Sequence, residues 1–75
     1  MNKVRRKRII DLVSRMAKER DILEDILSEE TDYHDNIPDN LQGSERAEES
    51  EEWIDLLENS LDQLGDIIDG LEEIA

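Results

Sequence analysis

The sequence predicts an all-α protein, an antiparallel helical hairpin that dimerises into a four-helix bundle or coiled coil. Three observations lead there. Leu57, Leu64 and Leu71 recur every seven residues, each preceded two positions earlier by Asp55, Asp62 or Asp69. The last third of the chain is therefore a helix with an apolar stripe and an acidic one. Residues 1–37 hold neither glycine nor proline and carry a second amphipathic stretch of matching length. The charge is also polarised. Residues 1–20 hold eight Lys/Arg against Asp11 and Glu19, whereas residues 21–75 hold twenty Asp/Glu against Arg46 alone. Antiparallel packing of two helices sets these opposite poles side by side, and a single continuous helix would separate them by ~90 Å.

With 75 residues the chain is one domain, near the lower limit at which a single core suffices. It has no cysteine, which excludes disulfides and thiolate metal sites. A net charge of -13 is compatible with disorder as well as with a charged helical protein. The heptad recurrence of leucine decides for helix, since a disordered chain has no reason to repeat it. No apolar run is long enough for a signal peptide or a membrane span, so the expected setting is cytoplasmic.

The first helix is expected over residues 3–30. Ile9, Leu12, Val13, Met16, Leu23 and Leu27 fall on one side at 100° per residue, with Val4, Ala17 and Ile26 at the margins. Glu19 and Arg20 interrupt the stripe, and Ile22 points away from it. The connector is expected over residues 31–43. Pro38 disfavours helix at Ile37, Asn36 and Gly43 suit the two ends of a short turn, and Ser44 suits the N-cap of the next helix. Tyr33, Ile37 and Leu41 are expected to fold over the open end of the helix pair as a hydrophobic plug.

The second helix, residues 44–74, has a wider apolar face than one neighbour needs. Trp53, Leu57, Leu64, Ile67, Leu71 and Ile74 form one seam. Ile54, Leu57, Leu61, Leu64, Ile68, Leu71 and Ala75 form another, sharing the three leucines. Such a helix can pack against two neighbours, the first helix and a helix of a second molecule, which is the basis for expecting a homodimer.

The outer face of this helix gathers Glu48, Glu51, Glu52, Asp55, Glu58, Asp62, Asp66, Asp69 and Glu73. A run of carboxylates on a helix is ordinarily a solvated face that keeps a small protein soluble. The functional alternative is a ladder that stands in for the phosphates of a nucleic acid and occupies the Lys/Arg groove of a nucleic-acid-binding protein. The basic segment Lys3, Arg5, Arg6, Lys7 and Arg8 would suit nucleic acid or anionic lipid. The bland reading is favoured for it, intramolecular pairing with Asp66, Asp69, Glu72 and Glu73, because a chain at -13 is repelled from polyanions.

Nothing points to catalysis, and no metal or other cofactor is implied. Asp32, His34 and Asp35 look like a fragment of a metal or acid–base site, but no second His or Cys completes a set. Counted from Asp35, a calcium loop fails at Ile37, Asn40 and Arg46, its third, sixth and twelfth positions. Ser14, Ser28, Ser50 and Ser60 lack a neighbouring base. Trp53 is read as a core or interface aromatic, and Arg46 as pairing locally with Glu49, Ser50 or the connector.

Tyr33-His34-Asp35-Asn36-Ile37-Pro38-Asp39-Asn40-Leu41-Gln42-Gly43-Ser44-Glu45-Arg46-Ala47-Glu48, followed by acidic heptads, resembles small proteins carried by phages and mobile elements of Gram-positive bacteria. In those, an aromatic-Asp-Asn-x-Pro-Glu-Asn-Leu-Gln segment leads into Ser-Glu-Arg and a run of Leu/Ile/Asp/Glu heptads. The resemblance covers about residues 19–75, with Asp39 in place of the usual Glu, and excludes the basic stretch before Ala17. It implies a helical hairpin of phage or prophage origin and transfers no catalytic residue. The expected function is that of a non-enzymatic protein that binds and inhibits a nucleic-acid-handling or defence protein of the host cell through its acidic face. The alternative is an assembly module whose main activity is homo-oligomerisation.

Overall fold

The computed structural model describes all of residues 1–75 and contains two long helices and no strand. Helix α1 spans Lys3–Asp35 and α2 spans Glu45–Glu72, joined through a single 3-10 turn at Asp39–Leu41. The helices pack along each other as a hairpin, giving a rod of 59 × 15 × 13 Å. Its radius of gyration is 17.3 Å, against about 11 Å for a compact domain of this length.

Asn2 caps α1, its Oδ1 accepting from the Arg5 N–H at 2.8 Å. The charges of α1 run against its own dipole: Lys3, Arg5 and Arg6 crowd the positive end, and Asp32 and Asp35 lie at the negative end. Packing must therefore hold this helix. The packed stripe is Ile9, Val13, Met16, Arg20, Leu23, Leu27, Glu30 and His34, buried or half-buried in alternating steps of four and three. These are the a and d positions of a heptad frame. Leu12, expected in the stripe, lies beside it and is exposed, as is Ile22.

The structure carries α1 to Asp35, five residues past the expected end. Polar residues 31–35 stay helical because the stripe continues through His34 and because Thr31 donates its hydroxyl to the Leu27 carbonyl at 2.8 Å. Pro38, which lacks an N–H and restricts Ile37, fixes where the helix stops. Asn36 ends it, its N–H donating to the Asp32 carbonyl at 3.1 Å.

The connection uses ordinary backbone throughout. The Leu41 N–H donates to the Pro38 carbonyl at 2.8 Å, and Gln42 Nε2 donates to the Ile37 carbonyl at 2.7 Å. No residue, Gly43 included, takes a positive φ. The expected plug contracts to Ile37, which is buried; Tyr33 and Leu41 are exposed and line a shallow hollow beside it.

Ser44 caps α2 as expected from its position, Oγ accepting from the Ala47 N–H at 3.3 Å, and Glu45 and Glu48 sit favourably in the first turn. The stripe facing α1 is Ala47, Ser50, Ile54, Leu57, Leu61, Leu64, Ile68 and Leu71. Ile68, at 1 % exposure, is the largest fully buried side chain. The buried apolar residues are Val13, Ile37, Ala47 and Ile68, and apart from buried Ser50 the rest of the two stripes is half-buried. One hydrogen bond crosses between the helices: Ser50 Oγ donates to Glu30 Oε1 at 2.8 Å. No helix is long and apolar enough to cross a membrane.

Candidate functional site

The two seams of α2 have separated. Ile54, Leu57, Leu61, Leu64, Ile68 and Leu71 turn towards α1, whereas Trp53, Ile67 and Ile74 remain exposed. Adjacent Ile67 and Ile68 show the division most sharply, at 54 % and 1 % exposure. In the heptad frame set by the buried stripe, Trp53, Ile67 and Ile74 occupy the g flank of α2, with Leu56 beyond them at c. Leu12, Ile26 and Tyr33 occupy the g flank of α1, with Ile22 at c. In an antiparallel pair the two g flanks lie on the same side. Tyr33, Arg46 and Trp53 accordingly line one hollow with Glu30 and Ser50. The hairpin thus has an apolar side, formed jointly by both helices.

The carboxylates of α2 face elsewhere. Glu48, Asp55, Asp62 and Asp69 occupy b positions, Glu51 and Glu58 e positions, and Glu52, Asp66 and Glu73 f positions, and all are exposed. None is held in an ion pair, since the structure's two ion pairs are Lys7–Asp11 at 3.4 Å and His34–Asp35 at 3.9 Å. Within Glu45–Glu72 eleven carboxylates stand against Arg46. Spread over a helix of about 42 Å, they give one net charge per ~4 Å, close to the ~3.4 Å per charge of a single DNA strand.

The basic segment does not make the intramolecular pairs expected of it. Lys3, Arg5, Arg6, Lys7 and Arg8 are all exposed, and no ion pair joins them to Asp66, Asp69, Glu72 or Glu73. The hairpin brings these groups to one end, but Lys7, Arg8, Asp66, Asp69 and Glu73 sit on outward positions while the facing positions are apolar. Arg46 likewise makes no ion pair; it stands exposed between Tyr33 and Trp53.

At the loop end the Asp32, His34 and Asp35 trio contributes only the His34–Asp35 contact, with no third ligand gathered around it. The polar residues that do meet across the helices are Glu30 and Ser50. Glu30 is one of three polar members of the α1 stripe, with Arg20 and His34, and Ser50 is the polar member of the α2 stripe; their shared heptad phase was the available signal. Comparison of the chain with protein-family models, with curated proteins and with solved structures finds no match.

Proposed function

We propose that this is a non-enzymatic protein of a phage or mobile element, acting in the cytoplasm of a bacterial host, that binds and inhibits a nucleic-acid-handling or defence protein. The acidic ridge of α2 takes the place of a nucleic-acid strand in the partner's basic groove. The observation that carries this reading is the charge spacing of the ridge, near that of a DNA strand, on carboxylates that are all exposed and unpaired. A ligand of this kind gains affinity by releasing counterions, so its binding falls steeply with salt.

The immobilised protein is expected to retain a DNA-binding enzyme from bacterial lysate at low salt. Capture should be lost in high salt, on addition of duplex DNA, and in the triple variant Asp55→Lys/Asp62→Lys/Asp69→Lys. Capture that survives all three treatments overturns the mimicry. A second reading, an assembly module whose main activity is self-association, draws on the apolar side of the hairpin. Under that reading the triple variant keeps full activity.

A further inference from the structure

The apolar side formed by the g flanks is built to receive a second copy of itself, turned end for end. The Glu30–Ser50 hydrogen bond sets the register of the hairpin: residues whose numbers add to about 80 stand at the same height. Along the g flanks this gives a series of layers. From the free end towards the loop they are Arg5 with Ile74, Leu12 with Ile67, Glu19 with Ser60, Ile26 with Trp53, and Tyr33 with Arg46. Each step is one heptad, or about 10.5 Å. The series is symmetric in character about its middle, with apolar layers on both sides of the polar Glu19–Ser60 layer.

We propose that two hairpins associate face to face through this side, antiparallel, with the two-fold axis at the height of Glu19 and Ser60. Rotation about that axis lays Leu12 and Ile67 of one protomer over Ile26 and Trp53 of the other. The contact is isologous: one patch serves both copies. The inference concerns the side away from the acidic ridge and stands independently of the proposed inhibition.

Charge selects this orientation over the parallel one. Arg8 lies at c near the free end, on the rim of the apolar side. Glu29 and Glu49 lie at c near the loop end. Turned end for end, α1 lies over α1 of the partner subunit, so Arg8 comes beside Glu29 of the partner subunit, while Arg5 falls in the layer that holds Tyr33 and Arg46 of the partner subunit. A parallel arrangement would stack the acidic loop ends on each other and the basic ends likewise. Arg8, which makes no ion pair within its own hairpin, thereby gains a counter-charge in the dimer. In the central layer Arg15, one turn from Glu19 on the same helix, tempers the approach of the two carboxylates.

The area agrees. The single hairpin exposes 5873 Å², whereas a compact monomer of 8.8 kDa exposes about 4,800 Å². The excess, on the order of 1,100 Å² by that scaling, belongs to the rod as a whole, and burying the ~800 Å² that each partner contributes to a standard stable interface would remove most of it.

The test combines mass in solution with orientation. Wild type is expected to sediment as a dimer at micromolar concentration. Ile67→Glu, which places a carboxylate in the interface, is expected to weaken dimerisation at least about tenfold. Ile67 is exposed in the single hairpin, so helical circular dichroism should persist. The chain has no cysteine, so introduced ones report distance cleanly. Ser60→Cys, beside the two-fold axis, is expected to form an interchain disulfide under mild oxidation. Ile74→Cys, far from the axis, is expected not to. A monomeric wild type, an Ile67→Glu variant that stays fully dimeric, or crosslinking of Ile74→Cys but not Ser60→Cys would each overturn the proposal.

Discussion

Ser50→Ala removes the one hydrogen bond that joins the helices. Ser50 is buried, and its hydroxyl donates to a Glu30 carboxylate oxygen at 2.8 Å. A hydrogen bond to a charged group contributes about 1.5–3 kcal/mol. The lower end applies, because Glu30 is half-buried and regains water when its partner is lost. Alanine returns about 0.5 kcal/mol through its higher helix propensity. The net loss is about 1 kcal/mol, which lowers the unfolding midpoint by about 4–8 °C in a domain of this size. Glu30→Ala instead leaves a buried hydroxyl without its acceptor, a cost of about 1–3 kcal/mol. The lower half of that range applies, since a helical serine can turn back to the carbonyl four residues earlier. The double variant should lose less than the two single losses combined, by about 1 kcal/mol in a double-mutant cycle. Urea denaturation followed by circular dichroism, at one protein concentration for all four proteins, measures this. A coupling below about 0.3 kcal/mol, within the additivity of independent sites, would refute the role given to the pair and leave the register to the apolar stripe alone.

Other perturbations test other parts of the fold. Ile68→Ala should cost about 2–5 kcal/mol, a large share of the ~4–11 kcal/mol expected for a chain of 75 residues; the same denaturation series reads it. Gly65→Ala should stabilise by about 1 kcal/mol, because the added methyl meets nothing within 4 Å and the backbone is already helical. Thermal melts that show no gain would count against an uninterrupted helix at this point. Ser44→Ala should cost about 0.5–2 kcal/mol, while Ser44→Gly should cost only a few tenths. Raising salt from about 0.01 M to about 1 M shortens the screening length from roughly 30 to 3 Å, below the ~6 Å rise between carboxylates four residues apart. The melting temperature should rise with it; a fall would show that attraction between the charge poles outweighs repulsion along the ridge.

The hairpin and the cap at Ser44 were legible because they rest on local signals: a seven-residue leucine period, a proline, and a serine before acidic residues. The register of α2 was not. Leu57, Leu64 and Leu71 belong equally to the seam through Trp53 and the seam through Ile54, and only the position of α1 distinguishes them. Two residues that complete the buried stripe, Ala47 and Ser50, are small or polar and carry no hydrophobic signal of their own. On α1 the same effect is stronger, since Arg20, Glu30 and His34 occupy facing positions and make an intact stripe look interrupted. The late end of α1 follows from this: the stripe continues through His34, a residue that invites reading as loop chemistry. For the candidate surfaces, the exposed carboxylates lie where their spacing put them. The joint apolar side was hidden, because it exists only once both g flanks are placed on one side of the hairpin.

The charges set against the dipole of α1 bear on how the chain is made. On the ribosome α1 is synthesised before α2, with cations at its positive end, carboxylates at its negative end, and Val13 as its one buried side chain beside half-buried ones to stabilise it later. A nascent segment of this kind has little reason to become helical alone. Helix α2, capped at Ser44 and acidic in its first turn, is the better nucleus, and it emerges after α1. Folding therefore waits for the C-terminal half of the chain, and until then the leucines of α1 are exposed to whatever chaperone or neighbouring nascent chain meets them first.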